Sequence, residues 1–114
     1  MSYQVTDADT AVRVGSGDVP VLATPRLIAW FEAATVLAAA PFVDPGQTTV
    51  GTAVRIEHRC ATHVGGVVEI FAEPSPIVGR LLTFQVKAVG ESGEVVACGE
   101  IDRVIVDRHK FLGR

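Results

Sequence analysis

The chain has 114 residues and a mass of 12.0 kDa, which is enough for one domain with one hydrophobic core and excludes a second core of ordinary size. Ten Lys and Arg side chains against thirteen Asp and Glu give a net charge of -3, so the excess of cations that nucleic-acid binding needs is missing. Hydrophobic residues make up 48% of the chain and charged residues 20%, which excludes the composition of a disordered protein.

The first predicted element is a strand over Tyr3 to Val14, followed by a Gly-containing loop at residues 15–18. The first ten residues carry two aspartates and no apolar run, which argues against a secretory signal or an Arg-rich transit peptide. We therefore expect a protein that is not exported.

The second predicted element is a long helix. Thr24 and Pro25 form its start signal, because a threonine hydroxyl caps free backbone N–H groups and proline fits the first turn. The segment from Arg26 to Ala40 is rich in Ala and Leu, and Pro41 is predicted to end it. The apolar run is shorter than the roughly 20 residues of a membrane span. Because the helix lacks a wide hydrophilic face, we expect a central helix with protein on most sides.

After the helix, apolar residues recur with a period of two, which is typical of half-buried antiparallel strands. Over residues 50–60 the alternation assigns one face to a mainly apolar set, Val50, Val54, Ile56 and Cys60. Further strands are predicted at 67–73, 80–89 and 94–106, with a hairpin at 90–93. This order predicts an α+β domain in which an antiparallel sheet wraps around or covers one long helix.

Glu32 is the only carboxylate of the predicted helix, and a helical wheel places it among mostly apolar neighbours. Burial of an unpaired carboxylate is unfavourable, so such groups raise their pKa or acquire a hydrogen-bond partner. Two interpretations stay open. One is a general base or nucleophile, which we favour; the other is a glutamate at an interface edge paired with an arginine.

His58 lies on the strand predicted at 50–60, and the alternation turns it to the same side as Ile56 and Cys60. A lone inward histidine is more often a hydrogen-bonded core residue than a catalytic group. A carboxylate on a central helix and an imidazole on a facing strand form an acid–base pair, however, so we predict that Glu32 and His58 act together.

Thr24 has two compatible roles. It is a helix cap, and it lies where a helix start offers unpaired N–H groups and a positive dipole end to a developing oxyanion. If Thr24 caps the helix, about 12 Å of helix axis separates it from Glu32. A shared site then needs a later helix start, a folded-back loop, or residues brought across a dimer interface.

The remaining candidates are weaker. Gly51 either lets a ligand approach the strand backbone or marks a bulge. Arg103 and the basic tail at 108–114 could meet an anionic cofactor, although a solvated, frayed terminus is the simpler interpretation of the last seven residues. The histidines lack metal-ligand spacing, and we assign no metal.

Three segments resemble the fluoroacetyl-CoA thioesterase-like family of hotdog-fold proteins: residues 21–25 (VLATP), residues 31–34 (FEAA) and the strand at 50–58. The element order and chain length are also similar, so the resemblance covers nearly the whole chain. It implies a single hotdog domain over residues 1–114, with an antiparallel sheet wrapped around one long central helix. It also implies a homodimer with the acyl-thioester site at the subunit interface.

The resemblance also implies a role for each candidate. Thr24, Glu32 and His58 would be catalytic, Gly51 would lie close to the thioester, and Arg103 would lie near the coenzyme A moiety. The implied reaction is hydrolysis of an acyl-CoA, with coenzyme A as part of the substrate and no separate cofactor. Glu32 would attack the thioester carbonyl or activate water, His58 would shuttle the proton, and Thr24 with backbone N–H groups would stabilise the oxyanion.

The sequence departs from the family in one respect. Members tuned for the fluorinated acyl group resemble one another in carrying aromatic residues before the helix, and residues 11–24 contain none. We therefore expect a short or medium acyl chain. Two other functions stay open: a non-catalytic module that binds an acyl thioester or a small apolar ligand, and a hydratase or dehydratase that leaves the thioester intact.

The composition also bears on oligomeric state and compartment. The mean hydropathy of +0.36 exceeds what one small core needs and predicts a homodimer, with further pairing into a tetramer left open. Cys60 and Cys98 are too few for a disulfide framework, so we expect two free thiols in a reducing cytoplasm.

Overall fold

One long helix and five strands make up the fold in the computed structural model, which describes residues 1–113. In chain order the elements are β1 (Ser2–Gln4), α1 (Ala11–Val14), α2 (Thr24–Ala39), β2 (Gln47–His58), β3 (Val67–Pro74), β4 (Leu81–Gly90), β5 (Val95–Asp107) and α3 (Arg108–Phe111). Short 3-10 turns precede α1 at Asp7–Asp9 and follow α2 at Ala40–Phe42.

The strands form one antiparallel sheet in the order β1-β3-β4-β5-β2, so β1 and β2 are its edges. Helix α2 packs on the sheet, and Phe31 of α2 and Phe84 of β4 are fully buried in the same apolar cluster. The predicted α+β architecture is confirmed. Within residues 1–113, no helix combines the length and the apolar composition needed to cross a membrane.

The last three strands agree with their predicted limits to within one residue at each end. The hairpin between β4 and β5 is also confirmed. Gly93 closes it with a φ of +82°, a left-handed conformation that side chains other than glycine rarely adopt.

Most of the first predicted strand is wrong. The chain instead forms the turn at residues 7–9 and the one-turn helix α1, because side chains satisfy the backbone locally. Asp9 accepts a hydrogen bond from the backbone N–H of Thr6 at 2.8 Å, and the Thr10 hydroxyl accepts one from the N–H of Arg13 at 3.4 Å. Bonds of this kind compete with strand pairing.

Strand β2 contains a β-bulge where it pairs with β5. Gly51 lies opposite Arg103 and Ala53 lies opposite Asp102, so Thr52 is an extra residue. Because side chains alternate along a strand, the extra residue reverses which residues face the helix.

The register shows the result of this reversal. Gly51 lies opposite the buried Arg103, and after the bulge Val54 lies opposite the buried Ile101. Directly paired residues share a face of the sheet. The helix-facing residues of β2 are therefore Thr49, Gly51, Val54, Ile56 and His58.

Two predictions about this strand are wrong. Val50 does not share a face with Val54 and Ile56, because the bulge lies between them. Cys60 lies beyond the end of the strand and is exposed.

Helix α2 buries one side against the sheet and exposes another. Its buried residues are Leu27, Phe31, Ala34, Thr35 and Ala39. Val36 and Leu37, in contrast, are 50% and 62% exposed. The expectation that protein surrounds this helix on most sides is therefore not met within one chain.

Candidate active site

Thr24 and His58 form a hydrogen-bonded pair at the start of α2. The Thr24 Oγ1 and His58 Nδ1 atoms are 2.7 Å apart. Ala23 is the N-cap residue, no side chain of residues 1–113 caps the helix, and Thr24 is its first helical residue. The prediction that the Thr24 hydroxyl caps the helix is therefore wrong. Its hydroxyl is free of the helix backbone and reaches across to β2.

The imidazole of His58 is partly buried, and its environment favours the neutral form. Burial lowers the pKa of His58 below its usual value, and the backbone of Cys60 acts weakly in the opposite direction. Nε2 is buried and has no hydrogen-bond partner among residues 1–113. A neutral imidazole at pH 7 can accept a proton, as a general base must.

A cavity of about 320 Å³ lies beside this pair. The loop between α1 and α2 forms much of its wall, with Ser16, Gly17, Asp18 and Val19 among the lining residues. The loop contains no aromatic side chain, in keeping with the missing aromatic residues before the helix. Sequence reasoning assigned no role to this loop, because its glycines match no phosphate-binding motif.

Glu32 lies in a second cluster, with Arg103 and Gly51. Its Oε2 atom is 3.5 Å from Nη1 of Arg103, and its side chain is 41% exposed. A Cβ atom added to Gly51 would lie 2.8 Å from the same Oε2, so the glycine leaves room for the carboxylate. The structure therefore contains the pairing of Glu32 with an arginine, which was one of its two interpretations. The carboxylate stays accessible to solvent in this pair.

Arg103 is the buried member of this cluster, with 6% of its surface exposed. It donates from Nε to the Thr49 hydroxyl at 2.9 Å and from Nη2 to the Thr49 carbonyl at 3.1 Å. Burial lowers the pKa of Arg103, and the Glu32 carboxylate opposes this shift. Sequence reasoning missed Thr49, because a bulge at Gly51 was only one of two interpretations and the faces of the strand were assigned by regular alternation.

The two clusters are separate within one chain. Among residues 1–113, Glu32 pairs with Arg103 and His58 pairs with Thr24, and no contact within 4 Å joins the carboxylate to the imidazole. About 12 Å of helix axis separates Thr24 from Glu32. The acid–base pair expected of Glu32 and His58 is therefore not formed inside a single protomer.

Part of the basic tail forms a short helix. Residues 108–111 form the exposed helix α3, which Asp107 caps by accepting a hydrogen bond from the Lys110 N–H at 2.8 Å. The expectation of a frayed terminus is thus wrong for this turn, and Arg114 lies outside the described residues. Across residues 1–113, no three His, Cys, Asp or Glu side chains are grouped as metal ligands would be.

Comparison with known proteins places this geometry in a family. The family model described as fluoroacetyl-CoA-specific thioesterase matches residues 5–109. The fluoroacetyl-CoA thioesterase of Streptantibioticus cattleyicolor is 33% identical over 91 residues, which is 80% of this chain. The match spans 65% of that relative, slightly less than two thirds of its length.

Solved structures give the same result for the fold. A variant of the fluoroacetyl-CoA-specific thioesterase FlK, crystallised with fluoroacetate and CoA, superposes with a TM-score of 0.89 at 27% identity, covering 99% of this chain and 92% of that chain. A hot-dog-like protein from Thermanaerovibrio acidaminovorans gives 0.90 at 21% identity, covering 100% and 84%, which supports the fold alone. The hotdog prediction is confirmed, and this chain belongs to the fluoroacetyl-CoA-specific thioesterase family.

Proposed function

We propose that the protein hydrolyses an acyl-CoA thioester. The observation that carries the proposal is the 2.7 Å hydrogen bond between Thr24 and a partly buried His58 beside an open cavity. A hydroxyl held on a neutral imidazole is a group that acyl transfer uses. The family supplies the substrate class, since a relative is a fluoroacetyl-CoA thioesterase.

We propose that each site is completed between two copies of the chain. Strand β2 is an edge of the sheet, so its free side can pair with another strand. Antiparallel pairing of two β2 strands, centred on Arg55 and with Thr52 left out of the pairing as the bulge residue, sets Gly51 of one protomer opposite the partner's His58. Glu32 lies beside Gly51, so this arrangement brings the carboxylate toward the partner's Thr24–His58 pair.

The chemistry then has two routes. In one, Glu32 accepts a proton from water, the water oxygen bonds to the thioester carbonyl carbon, and the C–S bond breaks as the proton passes through His58 to the coenzyme A sulfur. In the other, the Glu32 carboxylate or the Thr24 hydroxyl attacks the carbonyl carbon, with His58 taking the proton where the hydroxyl attacks. The C–S bond breaks, coenzyme A leaves as the thiolate, and water then hydrolyses the acyl-enzyme. Both routes place charge on the carbonyl oxygen, which the free N–H groups at the start of α2 can stabilise.

The direction of the Thr24–His58 hydrogen bond distinguishes roles for Thr24. If His58 Nδ1 carries the proton, the hydroxyl is free to donate to the carbonyl oxygen. If Nδ1 is bare, the hydroxyl donates to it and becomes the nucleophile. A Thr24→Ala variant loses both roles, whereas an acyl group trapped on Thr24 and detected by mass spectrometry would establish the second.

The decisive experiment is a panel of acyl-CoAs from two to ten carbons, including fluoroacetyl-CoA, with products separated by chromatography. Chromatography is preferable to a thiol reagent because the exposed Cys60 would react with the reagent. We expect free coenzyme A and acid, with the highest rates for short or medium chains. Glu32→Gln should lower kcat/KM by at least about a hundredfold.

Other outcomes would overturn the proposal. Saturable binding without product over long incubation indicates the binding module, and a modified acyl group on an intact thioester indicates a hydratase or dehydratase. Native mass spectrometry should give twice 12.0 kDa, or a further doubling for a tetramer, and a monomer at micromolar concentration would remove the shared site. We also propose a cytoplasmic location, in keeping with the free thiols of Cys60 and Cys98.

A further inference from the structure

We infer that Arg103 and Thr49 are positioning residues that act through the Glu32 carboxylate. The inference rests on the proposed thioester hydrolysis and names two residues that support its acidic group. Thr49 has no role in the resemblance described above, and Arg103 was expected to meet coenzyme A. The geometry around the guanidinium points to a different task.

The donors of Arg103 are directed into the protein. Two hydrogen bonds end on a single residue, from Nε to the Thr49 Oγ1 and from Nη2 to the Thr49 carbonyl oxygen, at 2.9 and 3.1 Å. The third contact is from Nη1 to Glu32 at 3.5 Å. Because the guanidinium is planar and rigid, fixing two of its nitrogens fixes the direction of the third.

Burial distinguishes this ion pair from the others on the sheet. Arg55 and Arg59 also pair with carboxylates, but their side chains are 49% and 54% exposed, so solvent screens both pairs. The Arg103 side chain is 8% exposed and contacts Glu32 from the protein interior, whereas the Glu32 side chain is 41% exposed to solvent. A buried cation with an accessible carboxylate holds that carboxylate in place without covering it.

The β-bulge makes the arrangement possible. Thr49 faces α2 only because it lies before the extra residue Thr52, two positions from Gly51. Its neighbour Thr48 lies opposite Val106 on the other face of the sheet, and its side chain makes no hydrogen bond within residues 1–113. Thr48 therefore offers a matched control for a substitution at Thr49.

The two roles of Arg103 predict different kinetics. A residue that binds coenzyme A raises KM when it is removed, whereas a residue that orients Glu32 lowers kcat and leaves KM nearly unchanged. A 1 Å displacement of a reacting group lowers rates by about a hundredfold. Thr49→Val keeps the shape of the side chain but removes the acceptor, and we expect kcat to fall about tenfold with KM within about twofold.

The experiment compares four variants of the full chain by steady-state kinetics. Thr49→Ser, which keeps the hydroxyl, should retain kcat within about threefold, and Thr48→Val should match the wild type. Arg103→Lys should lose more activity than Thr49→Val, because a single ammonium group cannot bind Thr49 and Glu32 with the planar geometry of the guanidinium. Melting curves identify any variant that fails to fold. An unchanged kcat in Thr49→Val, or a raised KM in Arg103→Lys with unchanged kcat, would overturn the inference.

A second measurement does not depend on turnover. In ¹⁵N-labelled protein, the Nε–H proton of Arg103 should exchange slowly with solvent, because it is buried and hydrogen bonded. Its signal, assigned by its loss in Arg103→Lys, should shift in Glu32→Gln and exchange rapidly in Thr49→Val. An inactive wild type with these signals would reject the proposed hydrolysis alone. Rapid exchange of the Arg103 Nε–H proton in the wild type would reject the inference that Thr49 holds the Arg103 guanidinium in place.

Discussion

Replacing Gly51 by alanine tests whether the Glu32 carboxylate must lie where the structure places it. The added Cβ would be 2.8 Å from Oε2 of Glu32 and 3.4 Å from Nη1 of Arg103. Ordinary contact begins at about 3.4 Å, so the carboxylate must retreat by about 0.6 Å. The obstructing atom is the end of a flexible side chain, and it can move without displacing the backbone.

The expected effect is large on the rate and small on stability. If a 1 Å displacement lowers a rate about a hundredfold, a retreat of about 0.6 Å lowers kcat by roughly tenfold to twentyfold. Gly51 does not have a positive φ, so alanine fits the backbone and stabilises the fold by roughly 0.4–1 kcal/mol through the unfolded state. A weakened, partly exposed ion pair offsets this by about 0–1 kcal/mol, and the free energy of unfolding should change by less than about 1 kcal/mol.

The assay is a double-mutant cycle on kcat. Gly51→Ala and Glu32→Gln are measured alone and together on the best acyl-CoA, with urea unfolding of each variant as the control for folding. If Gly51 acts through Glu32, the alanine should cause no further loss in the Glu32→Gln background. The reasoning is refuted if Gly51→Ala keeps kcat within about twofold of the wild type, or if it lowers kcat equally in both backgrounds.

Two further predictions concern His58 and the core. Burial lowers the pKa of His58 in the folded state, so the unfolded chain binds a proton first as the pH falls below about 6.5, and the free energy of unfolding should decrease through that window. His58→Asn should lack the part of this decrease that comes from His58. Identical dependence of the free energy of unfolding on pH, from 7.5 to 5, in the variant and the wild type would contradict the prediction. Phe31→Ala should lower the free energy of unfolding by about 3–5 kcal/mol, since Phe31 is fully buried. Val78→Ala, at a residue that is 71% exposed, should change the free energy of unfolding by less than about 0.5 kcal/mol. If urea unfolding gave the same loss of stability for both variants, the assignment of Phe31 to the core would be refuted.

Much of the fold could be predicted from the sequence because its strongest signals are local. The Thr24–Pro25 pair and the Ala- and Leu-rich run after it specify a helix, and α2 covers Thr24–Ala39. The alternating segments and their glycine turns specify the last three strands. The prediction of the first strand was wrong because the side chains of Asp9 and Thr10 form hydrogen bonds with the neighbouring backbone. The alternation of apolar residues does not indicate such bonds.

The candidate site was predictable residue by residue and not as an arrangement. Thr24 stood out as part of a helix start signal, Glu32 as the only carboxylate of the helix, and His58 as an inward-facing residue of its strand. Their pairing was not visible, because the Thr24 hydroxyl was assigned to the helix backbone, whereas it bonds to the imidazole. Side-chain partners depend on how helix and strand cross, and that crossing is set by packing of the whole sheet.

The bulge explains why strict alternation could not describe β2. Gly51 and His58 are seven residues apart, and an odd separation puts two residues on opposite faces of a regular strand. Both must face α2, because one accommodates the Glu32 carboxylate and the other bonds to Thr24. One extra residue between them, Thr52, resolves the conflict. Without the bulge, either Gly51 or His58 would face away from α2, and Glu32 or Thr24 would have no partner on this strand. The bulge is therefore required for both clusters of the proposed site to form on one strand.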